Sequence, residues 1–294
     1  KKIKKTFNKV SLKYVFIDDG SSDGSTEWLD KNLKIIFSDS EFQLIKLNKN
    51  YGKGYSIKQG IKFVEGEHTL FIDSDLEYEP NDLFEMYNVM IENTDIEVLY
   101  GSRNLGSKTQ LRRYFLNAIA VKINTWIFNF LFKQHLTDLH TGSKIIKTSL
   151  LQNIDITTNG FGLEIDLSSE IAKKNINIFE YGISYYERTF EQGKKITIID
   201  GLLSYYFLFK SRFLKNNLET QITLVYSFLL FSIITMPFSI GIINQFISIF
   251  FIVFGILLSL QRKIIQISII GFFLYLGSII VNNDYKNHIM ILFF

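Results

Sequence analysis

Two aspartates, Asp73 and Asp75, stand one residue apart just after a short apolar run in the stretch His68–Pro80. Carboxylates with this spacing at the end of a strand can hold Mg²⁺ or Mn²⁺ together with substrate phosphates, because these ions take oxygen ligands. An alternative is a polar turn in which an aspartate caps the following helix. The spacing alone leaves both interpretations open.

A second acidic loop, residues 18–26, follows another apolar run. It partly resembles a calcium loop, but a strand-like segment precedes it and Asp30 stands where a glutamate is expected. A turn that caps a helix is a stronger alternative. The functional interpretation is that Asp18 and Asp19 accept hydrogen bonds from the base or ribose of a nucleotide.

A third loop, residues 48–54, contains Gly52, Lys53 and Gly54. Glycines permit a close approach of the backbone to a nucleotide, and a lysine can meet phosphate charge. This pattern is weak evidence by itself, and it acquires meaning only from its position after a strand.

Strand-like and helical patterns alternate along this part of the chain. Strands are predicted at Tyr14–Ile17, Phe42–Leu47, Thr69–Ile72 and Glu97–Tyr100, and helices around Thr26–Leu33, Gly54–Val64 and Asn81–Ile91. The alternation predicts an α/β fold with a mostly parallel sheet and helices on both faces. Ligands of such sheets bind at the carboxyl ends of the strands, where all three loops fall.

Composition excludes several classes. The net charge of +3 is too small to indicate nucleic acid, and no basic stripe with interleaved aromatics is present in residues 1–200. The chain has no cysteine, which excludes disulfides and thiolate metal sites.

Three apolar runs near the end of the sequence predict membrane spans. They are Ile222–Ser239, Ile242–Leu260 and Ile264–Val281, each close to the length that crosses a bilayer. Core helices of a large protein are the alternative. Basic residues flank the first run (Lys210, Arg212, Lys215) and separate the second from the third (Arg262, Lys263). The positive-inside rule places both basic clusters, and with them the part of the chain before the first run, in the cytoplasm. We expect a multi-pass protein of the plasma (inner) membrane.

These patterns predict three regions: a catalytic domain at 1–200, an amphipathic juxtamembrane segment at 201–219, and about three transmembrane helices at 220–294, with the start of a fourth. Two segments mix aromatic and basic residues, Arg112–Phe132 and Leu202–Leu214. They are predicted to lie at the membrane interface, and the alternative is that they pack in the core.

Taken in order and spacing, the motifs resemble the family 2 glycosyltransferases of the GT-A fold, and among them the branch similar to dolichyl-phosphate mannose synthases. The resemblance covers roughly residues 10–215. The matching segments are Asp18–Ser21, Asn50–Gly54, Asp73–Pro80, Gly101–Arg103, Thr137-Asp138 with Thr141 and Lys144, Gly160–Glu164 and Glu187–Lys195. A further strand precedes these motifs in the family, and the resemblance places it before residue 1.

The resemblance implies a role for each matching residue. Asp18 and Asp19 would contact the nucleoside, and Asp73 and Asp75 would bind a Mg²⁺ or Mn²⁺ ion on the diphosphate of the donor. Arg188, Lys194 and Lys195 resemble a phosphate clamp, with a solvated charge run as the alternative. Arg103 would contact phosphate, with a surface ion pair as the alternative.

The implied reaction is the inverting transfer of a hexose from a nucleotide sugar, of the GDP-mannose or UDP-glucose type, to a polyprenyl phosphate such as undecaprenyl or dolichyl phosphate. Asp75, Asp138 and Glu164 are the candidate catalytic carboxylates. Asp138 and Glu164 would act as a base or orient the acceptor, and a structural role is the alternative for both. The sequence leaves open a homo-oligomer.

Two other functions compete with this one. A processive polysaccharide or glycolipid synthase shares the metal motif but usually carries Gln-x-x-Arg-Trp, and neither Trp28 nor Trp126 lies in one. A catalytically silent membrane scaffold would be expected to lose the acidic motif, yet Asp73 and Asp75 are both present.

Overall fold

The computed structural model describes residues 2–106, 108–160, 162–189, 191 and 198–213. The chain divides into two compact units, Lys1–Arg212 and Phe213–Phe294. The first unit contains the predicted catalytic motifs. The predicted membrane runs between 222 and 281 lie outside the described residues.

The described residues form an α/β unit. The helices are α1 (Lys2–Thr6), α2 (Ser25–Ile36), α3 (Lys53–Ile61), α4 (Pro80–Glu92), α5 (Phe115–Phe132), α6 (Thr148–Gln152), α7 (Leu163–Lys173) and α8 (Ile198–Phe213). The strands are β1 (Tyr14–Asp18), β2 (Phe42–Lys46), β3 (His68–Phe71), β4 (Val98–Ser102), β5 (Gln110–Leu111), β6 (Lys144–Lys147), β7 (Phe179–Gly182) and β8 (Tyr185–Tyr186). The four predicted strands and three predicted helices are confirmed to within a few residues.

The sheet differs from the predicted one in two ways. The described strands form three sheets, with β1 beside β2, β5 beside β8, and a four-stranded sheet in the order β3-β6-β4-β7. Strand β6 is antiparallel to both of its neighbours, whereas β4 and β7 are parallel. The sequence of β6, Lys-Ile-Ile-Lys, does not encode its direction, because direction depends on how the chain returns to the sheet.

Two apolar clusters cover opposite faces of the four-stranded sheet. One contains Leu99 and Ile145 with residues of α4, and the other contains Tyr100 and Ile146 with residues of α5 and α7. Successive residues of a strand point to opposite faces, which explains the division. The predicted helices on both faces are therefore confirmed for this sheet.

A cavity of about 1040 Å³ separates β1 from β3. Residues Tyr14–Ile17 and His68–Ile72 both line it, and no ladder joins the two strands in the described part of the chain. Because consecutive residues of each strand line the cavity, it lies along their edges. Its lining also includes Asp19 and Asp73, which follow the carboxyl ends of these strands.

Helix α5, within the predicted interface segment Arg112–Phe132, has one side buried in the core and one exposed apolar side, and a position at the membrane interface stays a prediction. Phe128 is fully buried in the core, and Asn124 and Thr125 are also buried. The opposite face exposes large apolar side chains, among them Trp126 (69% exposed) and Phe130 (77% exposed). Within the described residues, no helix has both the length and the apolar character needed to span a bilayer.

Candidate active site

The loop that carries Asp73 and Asp75 follows β3 and leads into α4, which starts at Pro80. Pro80 suits the first turn of a helix because it lacks the N–H that would have no partner there. Leu76, within the loop, has a φ of 61° and a side chain that is 85% exposed. A non-glycine residue in this conformation is strained by about 1 kcal/mol, and such strain clusters at functional sites.

Lys53 joins two carboxylates that are distant in the sequence. Its Nζ lies 2.9 Å from Oδ1 of Asp73 and 2.9 Å from Oε1 of Glu164. Burial alone would lower the pKa of Lys53, but the charges of Glu164 and Asp73 outweigh it and raise the pKa. The three predicted site residues therefore form one charged cluster at the carboxyl end of β3.

Arg188 has a similar position at Asp75. Its Nη2 lies 3.1 Å from Oδ2 of Asp75, and its Nε lies 3.2 Å from Oε1 of Glu77. Glu77 also accepts hydrogen bonds from the backbone N–H of Arg188 at 3.0 Å and from the hydroxyl of Tyr185 at 2.8 Å. Arg188 is thus brought to the Asp73-Asp75 loop, whereas Lys194 and Lys195 lie outside the described residues.

Asp18 and Asp19 order the loops around them. Asp18 accepts hydrogen bonds from the backbone N–H of Ser21 at 3.1 Å and from the hydroxyl of Thr26. Asp19 accepts hydrogen bonds from the backbone N–H groups of Tyr51 at 2.9 Å and Gly52 at 2.8 Å. The two loops that the sequence singled out separately are therefore joined by Asp19. A nucleoside contact by either aspartate stays a prediction.

Gly142 permits the close approach of Asp73 to the segment before β6. A Cβ atom at this position would overlap Oδ2 of Asp73. The amide of Gly142 donates to the hydroxyl of Tyr78 at 2.9 Å, and burial raises the pKa of Tyr78 to about 12. The absence of a side chain at Gly142 thus helps to position Asp73, a role that the sequence did not reveal.

Arg103 and Asp138 form a closed ion pair. Nε of Arg103 lies 2.6 Å from Oδ2 of Asp138, and Nη2 lies 2.8 Å from Oδ1. Asp138 is fully buried, and the guanidinium stacks 5.0 Å from the ring centre of Tyr185. The ion-pair alternative is therefore the one observed for Arg103, with the pair buried and not on the surface. Phosphate binding by Arg103 stays a prediction.

Lys144 is a buried cation close to the same cluster. Burial lowers its pKa to about 8. Its ammonium donates to the carbonyl oxygen of Thr141 and lies 4.6 Å from the ring centre of Tyr100. Burial raises the pKa of Glu164, but the charges of Lys53 and Lys144 outweigh burial and hold that pKa at about 2. Glu164 is therefore ionised and paired at neutral pH.

Comparison with known proteins identifies the family. The sequence pattern of glycosyl transferase family 2 matches residues 3–155, more than half of the chain. The chain belongs to glycosyl transferase family 2. It is a glycosyltransferase, and its α/β fold is GT-A-like, as the motifs implied.

Relatives of this family 2 transferase include two with named reactions. The chain is 25% identical over 189 residues to the dolichyl-phosphate beta-glucosyltransferase of Saccharomyces cerevisiae, covering 59% of this chain and 56% of that protein. It is 27% identical over 185 residues to the dolichyl-phosphate beta-glucosyltransferase of Dictyostelium discoideum, covering 61% of this chain and 56% of that protein. The chain thus spans little more than half the length of either relative.

Among solved structures, the chain is similar to glucosyl-3-phosphoglycerate synthase from Mycobacterium tuberculosis in complex with uridine diphosphate. The TM-score is 0.47 and the identity 12%, covering 73% of this chain and 84% of that one. This likeness is too weak to carry an argument about the site.

The family 2 site fits a divalent metal that substrate helps to bind. Among the described residues, no three acidic, histidine or cysteine side chains are grouped to hold a metal by themselves. Mg²⁺ is commonly held by only one or two carboxylates, with substrate phosphates as further ligands. Burial and the charges of Glu77 and Asp73 raise the pKa of Asp75 despite Arg188. This excess of negative charge favours a cation at Asp73 and Asp75.

Sequence reasoning missed Glu77 and Tyr185 of this family 2 site. A signal for Glu77 was present, since Asp73, Asp75 and Glu77 alternate along the loop. The sequence contains no signal for Tyr185, because its hydrogen bond to Glu77 joins positions 108 residues apart.

Proposed function

We propose that this family 2 glycosyltransferase transfers a hexose, with inversion, from a nucleotide sugar to a polyprenyl phosphate. The observation that carries the proposal is the pair Asp73 and Asp75 at the carboxyl end of β3, each held by a basic side chain. A divalent metal can bind the two aspartates and phosphate oxygens can bind the basic groups, at the carboxyl ends of strands, where α/β proteins bind ligands.

The names of two relatives support the acceptor class and the sugar. Both are dolichyl-phosphate beta-glucosyltransferases, so a glucosyl donor and a polyprenyl phosphate acceptor are the first to test. GDP-mannose remains the second donor to test, because the described residues contain no contact that selects the base.

The site supports catalysis by charge stabilisation. A phosphate monoester is largely ionised at neutral pH, so the acceptor needs no strong base. When bound, Mg²⁺ or Mn²⁺ would stabilise negative charge on the leaving diphosphate. Asp138 pairs with Arg103 and Glu164 pairs with Lys53, so we assign both carboxylates a positioning role in place of a base.

A membrane location is part of the same proposal. The exposed apolar face of α5, formed by Phe115, Ile119, Ile123, Trp126 and Phe130, suits the boundary between lipid headgroups and acyl chains. Together with the three apolar runs in the sequence, it supports a multi-pass protein of the inner membrane. Its catalytic domain would rest on the cytoplasmic face, where a lipid phosphate is accessible.

The test uses membranes containing the full chain, undecaprenyl or dolichyl phosphate, Mn²⁺ or Mg²⁺, and labelled UDP-glucose or GDP-mannose. Metal-dependent label in the lipid fraction is expected, with a loss of at least about 100-fold in Asp75→Asn, since an essential charge contact is removed. Asp95→Asn is the matched control, because Asp95 is exposed and precedes β4, away from the site.

Other outcomes would favour the other functions. Label in a long polymer would indicate a polysaccharide synthase. No transfer and no nucleotide binding with either metal would indicate a silent scaffold and would contradict the proposal.

A further inference from the structure

Each aspartate of the metal motif is paired with a basic side chain that also contacts a glutamate. Lys53 contacts Asp73 and also Glu164, and Arg188 contacts Asp75 and also Glu77. We refer to Lys53 and Arg188 as the shared cations. Each has one partner in the metal motif and one partner outside the Asp-x-Asp pair.

Glu164 and Glu77, the partners outside the Asp-x-Asp pair, are more buried than the two aspartates. The side chains of Glu164 and Glu77 are 12% and 10% exposed, whereas those of Asp73 and Asp75 are 33% and 18% exposed. Glu164 lies in the first turn of α7. Glu77 is fixed by the hydroxyl of Tyr185 at 2.8 Å. Both glutamates are therefore placed to hold a shared cation after it has left its aspartate.

The charges of the cluster also favour a cation. Asp73, Asp75, Glu77 and Glu164 carry −4, the two shared cations carry +2, and the neighbouring Lys144, whose charge lowers the pKa of Glu164, carries +1, which leaves −1. A bound divalent ion would offset this negative charge. Without the ion, Lys53 and Arg188 provide the only basic contacts that Asp73 and Asp75 have within the described residues.

We propose that Lys53 and Arg188 leave Asp73 and Asp75 when a divalent cation binds, and that Glu164 and Glu77 retain them beside the site to meet the diphosphate. Glu164 and Glu77 are then positioning residues that act through the shared cations. The proposal rests on the metal–diphosphate site of the proposed function and adds a competition between each shared cation and the metal.

This competition predicts changes of opposite sign in two variants. Lys53→Met removes the competitor and should raise the affinity for Mn²⁺ without nucleotide about tenfold, which corresponds to the exchange of one favourable charged contact. Glu164→Gln leaves Lys53 on Asp73 alone and should lower that affinity about tenfold. Lys53→Met should also weaken the binding of uridine diphosphate in saturating Mn²⁺.

The double variant Lys53→Met/Glu164→Gln separates positioning from direct metal ligation. If Glu164 acts through Lys53, the second substitution should change the affinity for Mn²⁺ by less than about threefold once Lys53 is gone. If Glu164 were a metal ligand, the affinity would still fall in the double variant, and the proposal would be overturned.

The experiment is a titration of Mn²⁺ into the full chain in lipid nanodiscs, followed by electron paramagnetic resonance and then by calorimetry with uridine diphosphate and with guanosine diphosphate. Lys62→Met is the matched control, because Lys62 directly follows α3 and is exposed. Lys53→Arg keeps the charge and should stay near the wild-type affinity. Circular dichroism establishes that each variant is folded.

Two results overturn the inference, and they are distinguishable. If the wild-type chain binds Mn²⁺ and Lys53→Met binds it no better, the exchange is wrong while the proposed function stands. If the wild-type chain binds no Mn²⁺ even with uridine diphosphate or guanosine diphosphate, the metal site of the proposed function fails as well.

Discussion

Two ion-pair systems of this protein look alike in the sequence and differ in the fold. Arg103 and Asp138 form a closed pair, with two parallel contacts of 2.6 and 2.8 Å around a fully buried carboxylate. Lys53 is shared between Asp73 and Glu164 and lies at the cavity between β1 and β3. The closed pair has its charges matched inside the protein, whereas the shared cations leave an excess of negative charge.

The closed pair contributes mainly to stability, whereas the shared cations are suited to ligand binding. A buried pair with good geometry resists disruption, because removal of one partner leaves an uncompensated charge. A shared cation can move from one carboxylate to the other without being left unpaired. We therefore expect substitutions in the closed pair to affect folding most, and substitutions around the shared cations to affect metal and nucleotide binding most.

The largest effect on stability is expected for Asp138→Asn. Arg103 would keep a buried charge without a counter-charge, at a cost of about 3 kcal/mol or more in the free energy of unfolding. Urea unfolding followed by circular dichroism measures it, with Asp95→Asn as the control. A change below about 0.5 kcal/mol would contradict the structural role of the closed pair.

A smaller loss, about 1–2 kcal/mol at pH 7, is expected for Glu164→Gln, because Lys53 keeps its contact with Asp73. The pKa of Glu164 in the fold, about 2, lies below its ordinary value of 4.5. Its contribution is therefore present above pH 4.5 and is lost as the pH falls toward 2. The difference in unfolding free energy between wild type and variant should shrink over that window, and a constant difference would contradict the ion pair.

Lys144→Met should change stability in the opposite direction. The pKa of Lys144 in the fold is about 8, below the ordinary value of 10.5, so the unfolded chain binds more protons between these values. Its charged form thus disfavours folding below pH 8, and this penalty is relieved as the pH rises to 10.5. The variant should be more stable than wild type by about 1–3 kcal/mol at pH 7, with the gain vanishing near pH 10.5. Chemical unfolding at both pH values tests this.

The smallest effect on folding is expected at the exposed face of α5. This face is apolar, unlike the closed pair and the shared cations. Trp126→Ser with Phe130→Ser should change the free energy of unfolding by less than about 0.5 kcal/mol, because both side chains are exposed. The same face should touch lipid. In Trp28→Phe, the fluorescence of Trp126 should be quenched by brominated lipids in a bilayer.

The reciprocal variant, Trp126→Phe, is the control, because it leaves only Trp28 on α2. Its fluorescence should be insensitive to brominated lipid. Equal quenching of the two tryptophans, or none at Trp126, would contradict a membrane contact by α5.

Much of the fold near the site was predictable. The strand that leads to Asp18 and the strand before Asp73 were apparent as apolar runs, and the helical pattern at Asn81–Ile91 predicted α4. The antiparallel direction of β6 was not predictable, because strand pairing joins segments far apart in the chain. The two faces of α5 were only partly predictable, since its buried and exposed sides both carry large aromatic residues.

The sequence by itself determined which chemical groups are available and at which strand ends they fall, because side-chain periodicity and turn residues act over a few positions. Only the tertiary structure decided their partners. Lys53 meets Glu164 across 111 positions, Arg188 meets Asp75 across 113, and Arg103 meets Asp138 across 35. The physical reason is that the energy of a charge depends on its burial and on its nearest opposite charge, and folding sets both.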